Sequence, residues 1–289
     1  MWLILAFTSA ALLGLYDASK KSALKDNAVL PVLILNTLFS TIIFLPFLID
    51  NITGTGDATL KAHILVIIKS FIVLSSWIFG YFGLKHLPIT IVGPINATRP
   101  VLVLLGAMLI FGERLNWCQW TGVILAVISL FLLSRSSKKE HVDFKHNKWI
   151  WFVAAAALIG AVSGLYDKYI MKQLSPVFVQ GWYNFYQLVM MSIVVGIIWY
   201  PTRKKTTPFH WSWAIPLISI FISAADFAYL SALKQPDSMI SVVSLVRRGS
   251  VLISFLCGVL IFHEKNLKAK ALDLLLILIG MVFIYFGSR

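Results

Sequence analysis

Apolar residues fall in long blocks along the chain, and short polar or basic stretches separate these blocks. A helix needs roughly 20 apolar residues to cross the hydrocarbon core of a bilayer, and ten blocks approach or reach that length. The first block has no basic stretch before it and no small-x-small cleavage motif after it, so we expect a spanning helix rather than a signal peptide. The pattern predicts an all-α integral membrane protein with ten transmembrane helices, at residues 2–19, 30–49, 62–84, 89–111, 117–133, 149–170, 177–200, 211–233, 239–262 and 269–286.

The composition supports a membrane location. The chain is 59% hydrophobic and 13% charged, with a mean hydropathy of +0.85, and a soluble domain cannot hide that much apolar surface. The net charge of +13 comes mostly from short loops, where basic residues orient helices against anionic lipid headgroups. No basic stretch is interleaved with aromatic residues, so the expected partners are the lipid bilayer and a small-molecule substrate, not nucleic acid. The cell (plasma) membrane is the expected location.

Two segments of the chain occur twice, in the same order. The tetrapeptide GLYD stands at residues 14–17 and again at 164–167, an offset of 150. "GAMLIFGERLNWCQWTGVIL" (106–125) aligns with "CGVLIFHEKNLKAKALDLLL" (257–276) at an offset of 151. Matched segments near both ends of each half indicate an internal duplication.

The longest polar connector, at 134–148, lies between the fifth and sixth predicted spans. It divides the chain into a first five-helix repeat at 1–133, a basic linker at 134–148 and a second five-helix repeat at 149–289. Because five is odd, the second repeat enters the membrane from the opposite side. Inverted repeats of this kind are typical of transporters whose substrate site lies near the midplane, between the halves.

The inversion bears on the two GLYD aspartates. It places Asp17 toward one membrane face and Asp167 toward the other, so they are not expected to share a proton as a catalytic pair would. The sequence also has no Walker loop, HExxH or GxSxG motif, and its two cysteines have no CxxC spacing. We therefore expect no enzyme activity, no cofactor and no metal site.

The ends of the fourth and ninth spans read "LIFGE" (109–113) and "LIFHE" (260–264), each followed by a basic residue, a short linker and another apolar span. Pro100 precedes Glu113 by thirteen residues. With these motifs the chain resembles the drug/metabolite transporter superfamily, specifically its EamA-like ten-helix members, over almost its whole length. The second half departs from the pattern, because "SLVRRGSVLISF" has no proline. The resemblance implies a solute carrier that works by alternating access, often an exporter of amino acids or other metabolites.

Four basic residues lie well inside predicted spans, away from the span ends: Lys69, Arg99, Arg247 and Arg248. An ionised side chain in the bilayer centre costs about 2.5 to 3.5 kcal/mol on insertion scales, so such residues face a partner or a cavity. The depth of Asp226 in span eight matches that of the two arginines in span nine within about one helical turn. One arginine is expected to pair with Asp226, and the other, about 100° around the helix, to face the cavity.

Arg99 has two open interpretations. It either contacts the substrate or has a structural role, binding backbone carbonyls or the distant Asp17. A guanidinium binds a carboxylate or a phosphate through two parallel N–H donors, so a midplane arginine favours a substrate with an anionic group. Asn96 lies one helical turn from Arg99 and is expected to share its face. The predicted substrate-binding residues are Arg99, Asn96, Arg247, Arg248, Trp77, Tyr81 and Tyr229.

Three aspartates, Asp17, Asp167 and Asp226, are candidates for proton coupling or for gating. The alternative for the first two is a local ion pair, between Asp17 and Lys20 or Lys21 and between Asp167 and Lys168. Glu113 and its counterpart Glu264 lie at helix ends and are expected to act in packing and turns rather than as ligands.

The leading interpretation is a secondary transporter, independent of ATP, that exports a small metabolite with an anionic group. One alternative is a cationic drug/proton antiporter, which would favour an unpaired acid in the membrane over midplane arginines. Another is a non-transporting membrane scaffold, which has no need of charge at the midplane.

The orientation follows from the basic loops, which concentrate on the side opposite the N-terminus. Because such loops stay in the cytoplasm, both termini are predicted to lie outside. A reporter that fluoresces only in the cytoplasm is expected to be dark at the C-terminus and bright when inserted at 134–148. Relatives in the superfamily are usually drawn with their termini inside, and a bright C-terminal fusion would contradict the prediction.

Overall fold

A computed structural model describes residues 1–24, 27–53, 59–86, 95–96, 98–135, 147–203, 208–250, 252–253, 256–257 and 267–287. Within these ranges the regular elements are all helical, which confirms the predicted all-α class. Ten helices follow one another: α1 Trp2–Leu24, α2 Val29–Thr53, α3 Leu60–His86, α4 Arg99–Phe111, α5 Trp117–Arg135, α6 Lys148–Met171, α7 Pro176–Val194, α8 Ala214–Lys234, α9 Ile240–Arg248 and α10 Leu267–Gly287. A π-helical turn, Val195–Trp199, and a last helical piece, Tyr200–Thr202, continue α7.

Six of the helices in the described ranges are long and apolar enough to cross a membrane: α1, α2, α3, α6, α7 with its continuation, and α8. The apolar parts of α4, α5 and α10 are shorter. The predicted spans at 89–111 and 239–262 lie partly outside the described residues. Large apolar side chains such as Phe71, Leu109 and Ile197 point away from the protein, as expected of a surface that faces lipid. These features are those of a multi-pass integral membrane protein.

Helices of the first half pack against helices of the second half in opposite chain directions. On α3 and α6, Tyr166 donates from its hydroxyl to the Leu65 carbonyl at 3.1 Å, and Ser76 donates to the Ala156 carbonyl at 2.9 Å. Residue numbers therefore rise on α3 as they fall on α6. The neighbouring pairs are α1 with α8, α2 with α7 and α5 with α10.

Two other contacts between the halves join helices that run in the same direction. Arg99, at the start of α4, meets Gly160 of α6, and Gly106 further along α4 meets Leu165 further along α6. Residue numbers thus rise together along both helices. Helix α1 also lies beside α9, and Gly14 contacts Ser250, which follows the end of α9.

Helices α5 and α10 cross at a pair of glycines. A Cβ atom on Gly122 would lie 2.6 Å from the carbonyl oxygen of Gly280, and one on Gly280 would lie 2.9 Å from that of Gly122. Both distances are too short for a side chain, so the two backbones touch directly. Small residues at such crossings allow the close packing that holds membrane helices together.

Glu113 connects the end of α4 to the beginning of α9. Helix α4 ends at Gly112, whose φ of 64° is in the left-handed region that glycine adopts without strain. The Glu113 carboxylate then accepts hydrogen bonds from the Ile240 N–H at 2.7 Å, the Ser241 N–H at 3.2 Å and the Ser241 hydroxyl at 2.5 Å. It caps the N-terminus of α9, where a helix leaves donors unpaired and favours negative charge. The expected turn role of Glu113 is confirmed, and Glu264 lies outside the described residues.

The α5–α10 crossing gives a stability prediction. Gly122→Ala is expected to lower the free energy of unfolding by about 1 to 3 kcal/mol, because the added methyl group forces the backbones apart. Thermal unfolding of the purified protein in detergent measures the change. The matched control is Gly196→Ala, since a Cβ at Gly196 meets nothing within 4 Å. Equal midpoints for both variants would show that the crossing tolerates a side chain.

Candidate functional site

A polar cavity of about 380 Å³ lies between the two halves of the chain. Seven helices line it, α1, α3, α4, α6, α7, α8 and α9, and its volume is in the range of small-molecule sites. Its described lining includes five basic and three acidic side chains, a formal excess of two positive charges: Lys20, Lys69, Arg99, Arg247 and Arg248, with Asp17, Asp167 and Asp226.

Arg247 forms the ion pair that the sequence predicted for one of the two adjacent arginines. Its Nη2 donates to Asp226 Oδ1 at 2.6 Å, and its guanidinium lies 4.2 Å from the centre of the Tyr229 ring. The matching depths of the two residues on α8 and α9 are thereby confirmed. Arg248, the next residue on α9, also lines the cavity.

Arg99 binds a backbone carbonyl and lines the cavity as well. Its Nη2 donates to the Gly160 carbonyl at 2.7 Å, and a Cβ on Gly160 would lie 2.6 Å from the guanidinium carbon. A larger residue at this point of α6 would have to displace the guanidinium from its present position. Because a guanidinium has five N–H donors, this single bond leaves Arg99 able to bind a solute. The structural and the substrate-binding interpretations of Arg99 are therefore compatible.

Asp167 pairs with Lys69 of α3, not with Lys168. Both side chains are buried, Lys69 Nζ donates to Asp167 Oδ1, and Nζ also lies 4.7 Å from the centre of the Tyr183 ring. The prediction that Asp167 pairs with Lys168 is wrong, because the two are adjacent on α6 and adjacent side chains on a helix point about 100° apart. Lys168 turns instead toward the α8–α9 connection, where it donates to the carbonyl and the hydroxyl of Ser238, each at 2.5 Å.

Asp17 lines the same cavity from α1, beside Tyr16 and Lys20. Lys20 Nζ lies 5.5 Å from the centre of the Tyr16 ring. The side chain of Lys21, the other expected partner of Asp17, lies outside the described residues. Although the two GLYD aspartates come from opposite halves, one cavity reaches both Asp17 and Asp167.

The remaining predicted site residues have different outcomes. Trp77 and Tyr229 line the cavity. Asn96 is exposed and is not part of the described lining. Ile95 and Asn96 are themselves helical and α4 begins at Arg99, so the predicted spacing of one helical turn did not by itself bring Asn96 to the cavity. The backbone of Tyr81 is helical, and its side chain lies outside the described residues.

Sequence reasoning passed over several lining residues on α6 and α7. Gly160, Ser163 and Gly164 line the cavity together with the predicted Asp167, at spacings of three and four residues that form one helical face. Such a stripe of small and polar residues in an apolar helix was readable from the sequence. Gln180 of α7 had no such signal.

Comparisons with known proteins agree with this architecture. The sequence profile of the EamA-like transporter family matches residues 1–135 and again residues 147–286. An "Uncharacterized transporter" of Archaeoglobus fulgidus is 27% identical over 140 residues, 47% of this chain and 49% of the relative. "Solute carrier family 35 member F2" of Xenopus tropicalis is 24% identical over 203 residues, 66% of this chain and 50% of the relative.

The chain thus spans about half the length of the curated relatives it matches. A solved structure, described only as a crystal structure of a protein, superposes with a TM-score of 0.78 at 16% identity. The match covers 100% of this chain and 97% of the other, so the two share a fold.

The Lys69–Asp167 pair gives a prediction for stability. Lys69→Ala is expected to cost about 3 to 5 kcal/mol, because it leaves a buried carboxylate without its basic partner. The double variant Lys69→Ala/Asp167→Ala is expected to lose less than the single one. Chemical unfolding in detergent measures both, with Lys61→Ala, an exposed lysine on the same helix, as control. The single variant Asp167→Ala completes the comparison. A double variant whose loss of stability equals the sum of the losses in Lys69→Ala and Asp167→Ala would contradict the coupling.

Proposed function

Because the chain belongs to the EamA-like transporter family, we propose that it is a secondary transporter that exports a small metabolite with an anionic group, such as an amino acid or an organic acid. The family and the names of the relatives indicate a transporter rather than an enzyme. Beyond the family, the proposal specifies the chemistry of the solute, the direction of transport and the location of the protein in the cell membrane.

The charge of the cavity carries the proposal. Five basic side chains face three acidic ones in the described lining, and two of the acids, Asp167 and Asp226, are already held by basic residues. Uncompensated positive charge is costly inside a membrane protein, and a bound anion relieves it. Arg99 and Arg248 offer guanidinium groups, whose paired donors fit a carboxylate or a phosphate.

The two alternatives fit these contacts less well. A cationic drug/proton antiporter needs an acid available to the drug, whereas Asp167 and Asp226 are each engaged with a base. A scaffold without transport has no use for the eight charged side chains in the described lining of a cavity of about 380 Å³, since each one is costly to insert.

Two inverted five-helix repeats, ten spanning helices in all, form part of the proposal. Helices α1 and α3 run in the same direction if successive helices cross the membrane in alternation. Helix α6, the first of the second half, runs opposite to α3 in the contacts described above. The second half is then upside down relative to the first, and the cavity lies at their interface.

Alternating access requires contacts between the halves that break on one side of the cavity. Glu113 of the first half caps α9 of the second, and its three hydrogen bonds hold the α8–α9 connection against the end of α4. We assign these bonds to a closed side, with Asp17, Asp167 and Asp226 as the coupling or gating carboxylates that protons or other ions reach.

Substitution of Arg99 tests the proposed site. Arg99→Ala is expected to reduce the flux of carboxylated metabolites from proteoliposomes about tenfold or more, a loss of roughly 1.4 kcal/mol of binding. Arg99→Lys is expected to restore only part of the flux, because lysine lacks the paired donors. Mass spectrometry of the released metabolites gives the readout.

Arg203→Ala serves as control, since Arg203 is exposed at the end of α7 and away from the cavity. Size-exclusion profiles establish that each variant is folded. Wild-type flux through folded Arg99→Ala protein removes Arg99 from the site.

A further inference from the structure

A second, smaller pocket lies beside the main cavity. Its volume is about 20 Å³, enough for one particle the size of a water molecule. Residues of α2, α3, α7 and α8 line it: Asn36, Thr37, Ser40, Trp77, Gln180, Tyr183, Asn184, Gln187, Ile222, Ser223 and Asp226. Nearly all of these offer oxygen atoms, and Asp226 is the one charged residue in the described lining.

Three oxygen atoms from three helices are buried in this lining and have no hydrogen-bond partner among the described residues: Asn36 Oδ1, Gln187 Oε1 and Ser223 Oγ. The residues are 4%, 1% and 3% exposed. The orientation of the Gln187 amide is fixed, because Nε2 donates to the Ser70 carbonyl at 3.2 Å and Oε1 is therefore the end without a partner. Leaving such groups unpaired costs about 1 to 3 kcal/mol each, which indicates a bound particle.

The chemistry of the lining restricts what this particle is. Amide oxygens only accept, so the particle donates hydrogen bonds or carries positive charge. Hard cations take oxygen ligands, and a single carboxylate among neutral oxygens matches one positive charge rather than two. Five residues line both cavities, among them Trp77, Tyr183 and Asp226, so the two adjoin. The small pocket has room for about one water-sized particle, which favours a free ion over a larger group attached to the solute.

We propose that the small pocket binds a monovalent alkali cation, Na⁺ or K⁺, whose binding is coupled to solute transport. This coupling role rests on the function proposed above. Asn36, Gln187, Ser223 and Asp226 are the ligands. The structural consequence is that Asp226 serves two sites, the cation on one side and Arg247 Nη2 at 2.6 Å on the other.

Sharing Asp226 links the cation to the solute. A cation that takes over the negative charge of Asp226 weakens its hold on Arg247, and the guanidinium becomes available to an anion in the main cavity. An anion that draws Arg247 away likewise leaves Asp226 to the cation. Each ligand therefore raises the affinity for the other, as reciprocal linkage requires.

Thermal unfolding of the full-length protein in detergent, in NaCl, KCl and choline chloride at equal ionic strength, tests the pocket. The midpoint is expected to rise saturably with Na⁺ or K⁺ over choline, as mass action requires of a ligand that binds the folded state. Asn36→Leu and Ser223→Ala are expected to abolish that rise. Thr41→Val, a buried hydroxyl on α2 outside the described lining, is the control and is expected to keep it.

Equal midpoints in the three salts would show that the pocket holds water only and would overturn the proposal. A rise that persists in both Asn36→Leu and Ser223→Ala would place the ion elsewhere and would also overturn it. Because the wild-type salt series needs no variant, the test survives a variant that fails to fold. Metabolite flux that is unchanged in choline would reject the coupling while leaving the proposed solute site intact.

Discussion

The structure depends on one constraint: a charge inside the membrane must meet another charge, a hydrogen-bonding group or a polar cavity. Lys69 and Asp167 join α3 to α6, and Arg247 and Asp226 join α9 to α8. Arg99 donates to the Gly160 carbonyl, at a position where the glycine leaves space for the guanidinium. Each of these contacts also borders the same cavity, so the interactions that neutralise the charges also build the site.

The same constraint connects the site to movement. In an ion pair that lines a cavity, a solute or an ion can reach one side chain and replace its partner. An ion pair enclosed by apolar packing is not accessible in this way. Asp226 lines both the main cavity and the small pocket. Replacing its partner in one of them therefore changes its interactions in the other. The capping of α9 by Glu113 ties the cavity wall to the end of the bundle, so a change at α9 reaches the contacts between the halves.

The sequence predicted features that depend on distance along a helix, and it missed those that depend on neighbours in space. The depth of Asp226 could be counted from the end of its span, and its arginine partner followed. The partner of Asp167 could not be predicted in this way, since nothing in a single sequence states which face of α3 meets α6. Asn96 is exposed and outside the described lining although it lies three residues before Arg99, because spacing along the chain does not state which face of a helix meets the cavity. The motifs indicated the family and the all-α class, whereas the side-chain pairing needed coordinates.

The proposed function requires that the excess positive charge of the cavity selects an anionic solute. An unbiased comparison of intracellular and medium metabolites between cells with and without the protein tests this selection. We expect the metabolites whose distribution changes to share a carboxylate or a phosphate and to accumulate in the medium when the protein is present. A set of changed metabolites that are cationic or uncharged would contradict it.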